Sequence, residues 1–420
     1  MENLPKIFEI RQKIDAPKLG NIEKRVNELL DQFGLSQKVK RGERIGLTAG
    51  SRGIKDKPQV LKTIVSHLKD LGTSPFIVPC MGSHGGATAE GQVEVLESLG
   101  ITEQSVGAPI VSSMDVEEIG QTKFGTPVLI SKDLWKADKI IVVNRIKPHT
   151  DFKGEIESGL LKMMVIGMGK HQGSLMVHRL TIKHGFPVVL AEVGSILRKK
   201  LPIFFGVGII ENQYDQTALI ELVKAEEFAE KEKVLLKRAR ELMPSLPFNE
   251  MDILIVDEMG KDISGTGMDT NVVGRNQLIG NPKFENPKIT RIFVRDLTEG
   301  SHGNATGIGM ADYTTQRLVD KIDYYSTHIN CINGMTPENA RVPVFFEKDR
   351  EALQIAHYNS GVFDTKDLRI LWIKNTLELE YLFASQVFLK EARSNKQLEV
   401  LSEPFDFPFD EDGNLIPKWV

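Results

Sequence analysis

Short apolar runs alternate with amphipathic stretches through the first half of the chain. Ile45-Gly46-Leu47 reads as a strand and runs into Ala49-Gly50-Ser51-Arg52. Over 58–71 the apolar residues Leu61, Ile64, Val65 and Leu68 recur at helical spacing. Residues 76–79 form a second apolar run. It ends in the loop Gly82-Ser83-His84-Gly85-Gly86-Ala87-Thr88, and a helix is expected over 89–99. Ile140-Ile141-Val142-Val143 predicts a buried strand that feeds Asn144-Arg145 and then Pro148-His149. Strand, glycine loop and helix in repetition predict a parallel sheet with ligands at the carboxyl ends of its strands.

A charged helix over 225–243 closes this half, and Pro244-Ser245-Leu246-Pro247 reads as a hinge. The second half opens on the strand Asp252-Ile253-Leu254-Ile255-Val256, followed by a glycine-rich stretch over 260–271. Another strand, over 289–294, leads to Glu299-Gly300-Ser301-His302-Gly303-Asn304-Ala305-Thr306. The expected fold is therefore α/β: two α/β domains, 1–245 and 246–420, with mainly parallel sheets. The active site is expected in the cleft between them, the second domain closing over it. Gly-Ser-His-Gly-x-Ala-Thr occurs twice, at 82 and at 300, which leaves a shared site and a duplication both open. The acidic and aromatic tail over 404–409 is expected at the surface, packed by its phenylalanines.

Composition narrows the function classes. The net charge of −4 gives no basic footprint for nucleic acid and no polybasic patch for a membrane surface. Two cysteines, Cys80 and Cys331, cannot make a disulfide framework and point to a reducing compartment. The first residues lack a basic segment followed by an apolar one, and no apolar run approaches the ~20 residues that span a bilayer. A soluble, cytoplasmic protein is expected.

The candidate chemistry lies in loops after strands. His84 sits between glycines ahead of a helix whose N-terminal amides can hold an anion, and it can exchange a proton near neutrality. The bland reading is a histidine bonded to its own turn. His149 has its approach fixed by Pro148, with Asp151 near enough to orient the ring; the alternative is a capping residue on a surface loop. Lys162 lies in an apolar stretch, where it either snorkels or serves as a desolvated nucleophile. His171 and His178 are seven residues apart and can share a helix face, but with His184 they make no metal-binding spacing, so each reads first as structural. The 260–271 loop can cradle a phosphate through its amides, or be a plain connection, and it matches no nucleotide fingerprint. Arg52 can clamp a carboxylate or sit solvated in its loop.

Taken together, the Gly82–Thr88 loop, Pro148-His149, Ser158-Gly159-Leu160-Leu161-Lys162, Gly167 and a histidine sixteen residues beyond Lys162 resemble the nickel-dependent lactate racemase family. The resemblance covers most of the N-terminal half well and the C-terminal half loosely. It implies a nickel-pincer nucleotide, a pyridinium-3-thioamide-5-thiocarboxylic acid mononucleotide, tethered to Lys162. Nickel would be held by His178, with His171 as the alternative, and His84 and His149 would be the two acid/base groups. Gly82, Ser83, Asp269 and Asn271 would contact the cofactor, and Arg52 and His302 the substrate. The implied activity is racemisation or epimerisation of a 2-hydroxy acid, with cofactor-biosynthesis proteins as partners; homo-oligomerisation is open. The chain departs from the family pattern at Ala49, Gly274 and Gln277, and Asp151-Phe152-Lys153-Gly154-Glu155-Ile156-Glu157 replaces a glycine-rich segment. These changes point away from lactate to a larger or more polar 2-hydroxy acid, whose polar groups Glu155 or Lys153 would contact. Two other readings use the same residues: a zinc-dependent hydrolase or lyase, and a non-catalytic binder of a nucleotide or organic anion.

Overall fold

The computed structural model describes residues 4–150, 152–277, 284–416 and 419. Asp151 thus lies outside the described residues. The chain divides into two compact units, one of residues 16–243 and one of residues 1–15 with 244–420. The break at Met243/Pro244 falls where the proline pair predicts a hinge.

Strand β1 (Ile7–Gln12) belongs to the second unit, although the sequence reading places it in a first domain of 1–245. The pattern Ile-Phe-Glu-Ile-Arg-Gln identifies a strand but not its sheet. Its partners are supplied from the far end of the chain.

The 16–243 unit is built on β2 (Arg44–Ala49), β3 (Ser74–Pro79), a separate hairpin of β4 (Val116–Gln121) and β5 (Pro127–Ser131), β6 (Lys139–Arg145), β7 (Ile203–Glu211) and β8 (Thr217–Lys224). The main sheet runs β3-β2-β6-β7-β8, parallel except for β8. Its strands are almost continuously apolar because both faces are covered, as parallel sheets require. The helices are α1 (Ile22–Phe33), α2 (Lys57–Asp70), α3 (Ala89–Ser98), α4 (Lys170–His184), α5 (Phe186–Lys200) and α6 (Phe228–Glu241). Val60, Leu61, Ile64, Val65 and Leu68 of α2 are fully buried, as the helical spacing predicts. The chain passes from β2 to β3 on one side and reaches β6 on the other. The loops after β2 and β6 therefore diverge at the carboxyl edge, which is where open α/β sheets bind ligands.

The second unit holds β9 (Glu250–Met259), β10 (Lys288–Leu297), β11 (Tyr313–Thr315), β12 (Val344–Phe346), β13 (Ile370–Ile373), β14 (Tyr381–Ser385) and β15 (Leu398–Val400). They form one sheet with β1 in the order β12-β11-β10-β9-β13-β14-β1-β15, the first five parallel. Ile7, Phe405, Phe407 and Phe409 pack into one apolar cluster around Trp372, so the 404–409 tail is anchored by its phenylalanines. The twin Gly-Ser-His-Gly loops share letters but not conformation. His84 is extended (φ −63°, ψ 161°), whereas His302 is left-handed (φ 47°, ψ 43°).

Candidate active site at the carboxyl edge of the first sheet

Beyond Arg145 the chain makes a loop whose neck is closed by two backbone bonds, Lys147 N–H to Ser158 O (2.9 Å) and Ser158 N–H to Lys147 O (3.2 Å). Inside it, Glu157 is wholly buried. Its carboxylate accepts the His149 N–H (2.6 Å) and the Gly154 N–H (3.1 Å), and Arg240 of α6 closes the charge at 2.7 Å. Buried charge is tolerated only when bonded in this way. The result is a fixed backbone at His149. The His149 ring stacks on Phe152 (centroids 4.3 Å), Phe152 stacks on Phe186 (4.1 Å), and Phe186 meets His178 edge-on (5.9 Å).

Lys162 follows immediately. Residues Leu160–Lys162 form one helical turn that continues as a π-turn over Met163–Gly167, a rare conformation frequent at functional sites. The Asn144 amide donates to Gly159 O (2.8 Å) and ties this turn to the end of β6. The Lys162 Nζ donates to His149 Nε2. Burial, then the Lys162 charge, with Lys147, His178 and Arg52 behind it, holds the His149 imidazole well below its ordinary range. It is a neutral base at pH 7 with its lone pair turned to the lysine.

His178 is on α4. Its Nδ1 lies 2.7 Å from Ser174 O, one turn back, and 3.3 Å from Ser174 Oγ. That bond places the proton on Nδ1 and leaves the lone pair on Nε2, the arrangement metal-binding imidazoles use. Burial pushes its pKa down, the Ser174 bond opposes, and Lys162 adds to the lowering. His171, one face-repeat earlier, has a buried Nδ1 with no hydrogen bond among the described residues. His184 packs flat on Phe124 at 3.8 Å and reads as structural.

His84 is exposed, and its loop joins the site through Gly82. Gly82 takes φ +61°, and a Cβ there would lie 2.9 Å from Ser174 Oγ. The loop thus rests on the turn of α4 that orients His178. Its base is held by Gln92, whose amide donates to Gly82 O (3.0 Å), and by buried Lys170, which donates to Pro79 O (2.7 Å) and to Gln92 Oε1 (3.2 Å). Ser83 is half-buried in the same loop. Arg52 is exposed at the end of β2, and its charge reaches His149.

The structure thus brings together Arg52, His149, Lys162 and His178. Asp269, Asn271 and His302 belong to the other unit. Asp269 caps the short helix Thr270–Val273 and accepts from both the backbone (2.9 Å) and the side chain (2.7 Å) of Asn271, while His302 is exposed. Sequence reasoning missed Glu157, Glu232, Lys170, Phe152 and Phe186. Glu232 could have been found, because it occupies a core position in the stripe Phe228, Leu235, Leu236, Ala239 of α6. A cavity of about 280 Å³ lies behind Leu161, lined by Ile156, Pro187, Leu190, Arg198 and Lys233 among others, and none of the site histidines borders it.

Among the described residues no three His, Cys, Asp or Glu side chains converge as a metal site, and no helix is long and apolar enough to cross a membrane. No curated protein matches the chain. The solved lactate racemase apoprotein from Thermoanaerobacterium thermosaccharolyticum is similar at 15% identity, with a TM-score of 0.52 over 89% of this chain and 99% of that one. A crystal structure of a protein from Thermotoga maritima is similar at 12% identity, with a TM-score of 0.54 over 87% and 99%. Both likenesses are of fold. Residues 4–186 match the family model of the lactate racemase N-terminal domain, a span that holds His84, His149, Lys162 and His178. Residues 4–186 thus match a lactate racemase N-terminal domain, and the chain as a whole is similar in fold to the lactate racemase apoprotein.

Proposed function

We propose that this protein is a racemase or epimerase of a 2-hydroxy acid other than lactate, working with a nickel-pincer nucleotide. The observation that carries the reading is the meeting of Lys162, His149 and His178 at one edge of the sheet, with the Nε2 of His178 left as a donor. A single imidazole donor fits a group that brings its other nickel ligands with it. It does not fit a zinc hydrolase, whose metal takes three protein ligands, since no such set converges among the described residues. Neutral imidazole also suits nickel.

Lys162 would hold the nucleotide through Nζ, giving up its bond to His149, and His178 would face the nickel. When bound, the group supplies a reversible hydride acceptor for C2 of the substrate. The remaining chemistry is the chain's own. His149, neutral and freed of Lys162, takes the 2-hydroxyl proton as C2 loses hydride, and the planar keto acid results. His84 serves the opposite enantiomer. Arg52 offers a fork for the carboxylate, and Phe152 and Phe186 wall His149 from water. Each placed acid/base group contributes roughly 10²–10⁴-fold.

The test is co-expression with cofactor-making enzymes, intact mass of the product, and chiral analysis of single-enantiomer 2-hydroxy acids turned over in deuterated water. Adduct on Lys162, nickel lost in His178→Ala but kept in His171→Ala, and inversion of at least one acid are expected. An unmodified Lys162 under these conditions refutes the tether. Stoichiometric zinc without an adduct would favour hydrolysis, and ligand retention in His84→Ala and His149→Ala with no turnover would favour a binding protein.

A further inference from the structure

The turn that carries Lys162 begins at Gly159, and at that point a carboxyl group from a distant helix fills the end of the turn. Glu232 of α6 is buried. Its Oε2 accepts the Leu161 N–H at 3.0 Å, and the Leu160 amide also points to it. Its Oε1 is buried with no hydrogen-bond partner among the described residues. A Cβ on Gly159 would lie 1.8 Å from that oxygen, so only glycine lets the carboxyl approach. A lone turn of helix has several unsatisfied amides and little stability of its own; here the cap comes from another element.

Several charged groups on the surrounding elements have partners of their own. On α6, Lys233 pairs with Glu155 and Glu230, and Arg240 with Glu157. On β7, Glu211 pairs with Arg145, and on β8, Glu221 pairs with Arg25 and Lys224 with Glu227. Lys162, on the turn itself, bonds His149.

We propose that Glu232 is the positioning residue for Lys162, setting the place of its amine by capping the turn through the Leu160 and Leu161 amides. This deepens the function proposed above and rests on it for its catalytic meaning. Burial, opposed by the two amides, pushes the Glu232 carboxyl up to about 8. At neutral pH the cap is an uncharged acid and adds no negative charge beside the turn. Above that pH a buried carboxylate forms, draws in water and loosens the turn. The site therefore carries a pH limit that does not come from its histidines.

The experiment uses the full chain without cofactor. Amide exchange over 158–168 and acylation of Lys162 by a small amine reagent are followed on either side of pH 8 in wild type, Glu232→Gln and Glu232→Met. Below pH 8, Glu232→Gln matches wild type, because its amide oxygen still accepts. Glu232→Met exchanges and acylates at least about three- to tenfold faster, the value of one of the two hydrogen bonds it loses, with Lys233 as an unchanged internal reference. Above pH 8 only wild type loosens. Unchanged rates in Glu232→Met, or a Glu232→Gln as loose as Glu232→Met, overturn the proposal. Should Glu232→Met fail to fold, an identical pH response in wild type and Glu232→Gln overturns it instead. Neither readout involves cofactor or turnover, so a wild-type chain that never carries an adduct would refute the function and leave this inference standing.

Discussion

Removing the Glu157 carboxylate tests whether the loop between β6 and Lys162 is organised by one buried charge. Glu157→Ala deletes the acceptor of the His149 and Gly154 amides and leaves the Arg240 ion pair open. Hydrogen bonds to a charged acceptor contribute about 1.5–3 kcal/mol each. The Arg240 pair adds little, because that side chain is 45% exposed and such pairs contribute about 0–1 kcal/mol. The expected loss is about 3–5 kcal/mol for alanine and about 1–3 kcal/mol for Glu157→Gln, which keeps one carbonyl oxygen but turns its amide NH2, a donor, toward a backbone N–H. Urea unfolding gives the total, and amide exchange across 147–158 shows where it falls. Because His149 is fixed by this bond, the exchange change should centre on the loop rather than on the sheet. A loss under about 1 kcal/mol in Glu157→Ala, or exchange in the loop at wild-type rates, would show that the carboxylate does not hold the base.

Gly159→Ala should cost about 2–3 kcal/mol by clash with Glu232, and Gly159→Ala/Glu232→Ala should cost less than the two single changes together; strict additivity in thermal unfolding would mean that the two positions do not touch. Glu232 also gives the stability a pH slope. Its folded pKa of about 8 lies above the ordinary carboxyl value of 4.5, so the folded chain keeps a proton that the unfolded chain releases. That contribution is complete below pH 4.5 and is lost as pH rises to about 8, by up to about 5 kcal/mol. Glu232→Gln should flatten that window in denaturation curves, and a slope unchanged from wild type would exclude Glu232 as its source. Burial pushes the Cys80 thiol up to about 12, so iodoacetamide at mildly alkaline pH should label it in the unfolded chain and leave the native one unmodified; rapid native labelling would contradict its burial.

The site was legible where chemistry and loop position coincide. His149 and Lys162 stand out because a histidine follows the apolar run of β6 and a lysine lies in the next apolar stretch, whereas His178 comes only through the family resemblance, its spacing from His171 reading first as structural. The residues that hold them were not legible, because each acts across a long gap in sequence. Glu232 caps a turn 71 residues away, and Arg240 reaches Glu157 across 83. The fold shows the same limit. Periodicity identified β2, β3, β6, β9 and β10 among the parallel strands, whose pattern is local, but β1 finds its partners β14 and β15 at the opposite end of the chain.

The segment between His149 and Lys162 takes on a different meaning once its side chains are placed. As a departure from the family pattern it suggests new substrate contacts, with Glu155 or Lys153 as candidates. Glu155 is largely exposed and pairs with Lys233 at 3.0 Å, on the side of α6. Two other residues of the segment act on His149 itself: Phe152 stacks on its ring and Glu157 accepts its N–H. A glycine-rich loop could do neither, since it offers no ring and no buried carboxylate. On the proposed function, the replacement is therefore first a change in how His149 is desolvated and fixed. Stacking and burial favour a neutral imidazole, and Glu157 removes the backbone freedom that glycines would leave. Any selectivity against lactate from this segment would come through the position and basicity of His149, and a Phe152→Ala chain should show it as an upward shift in the pH dependence of turnover before any change in which acid is preferred.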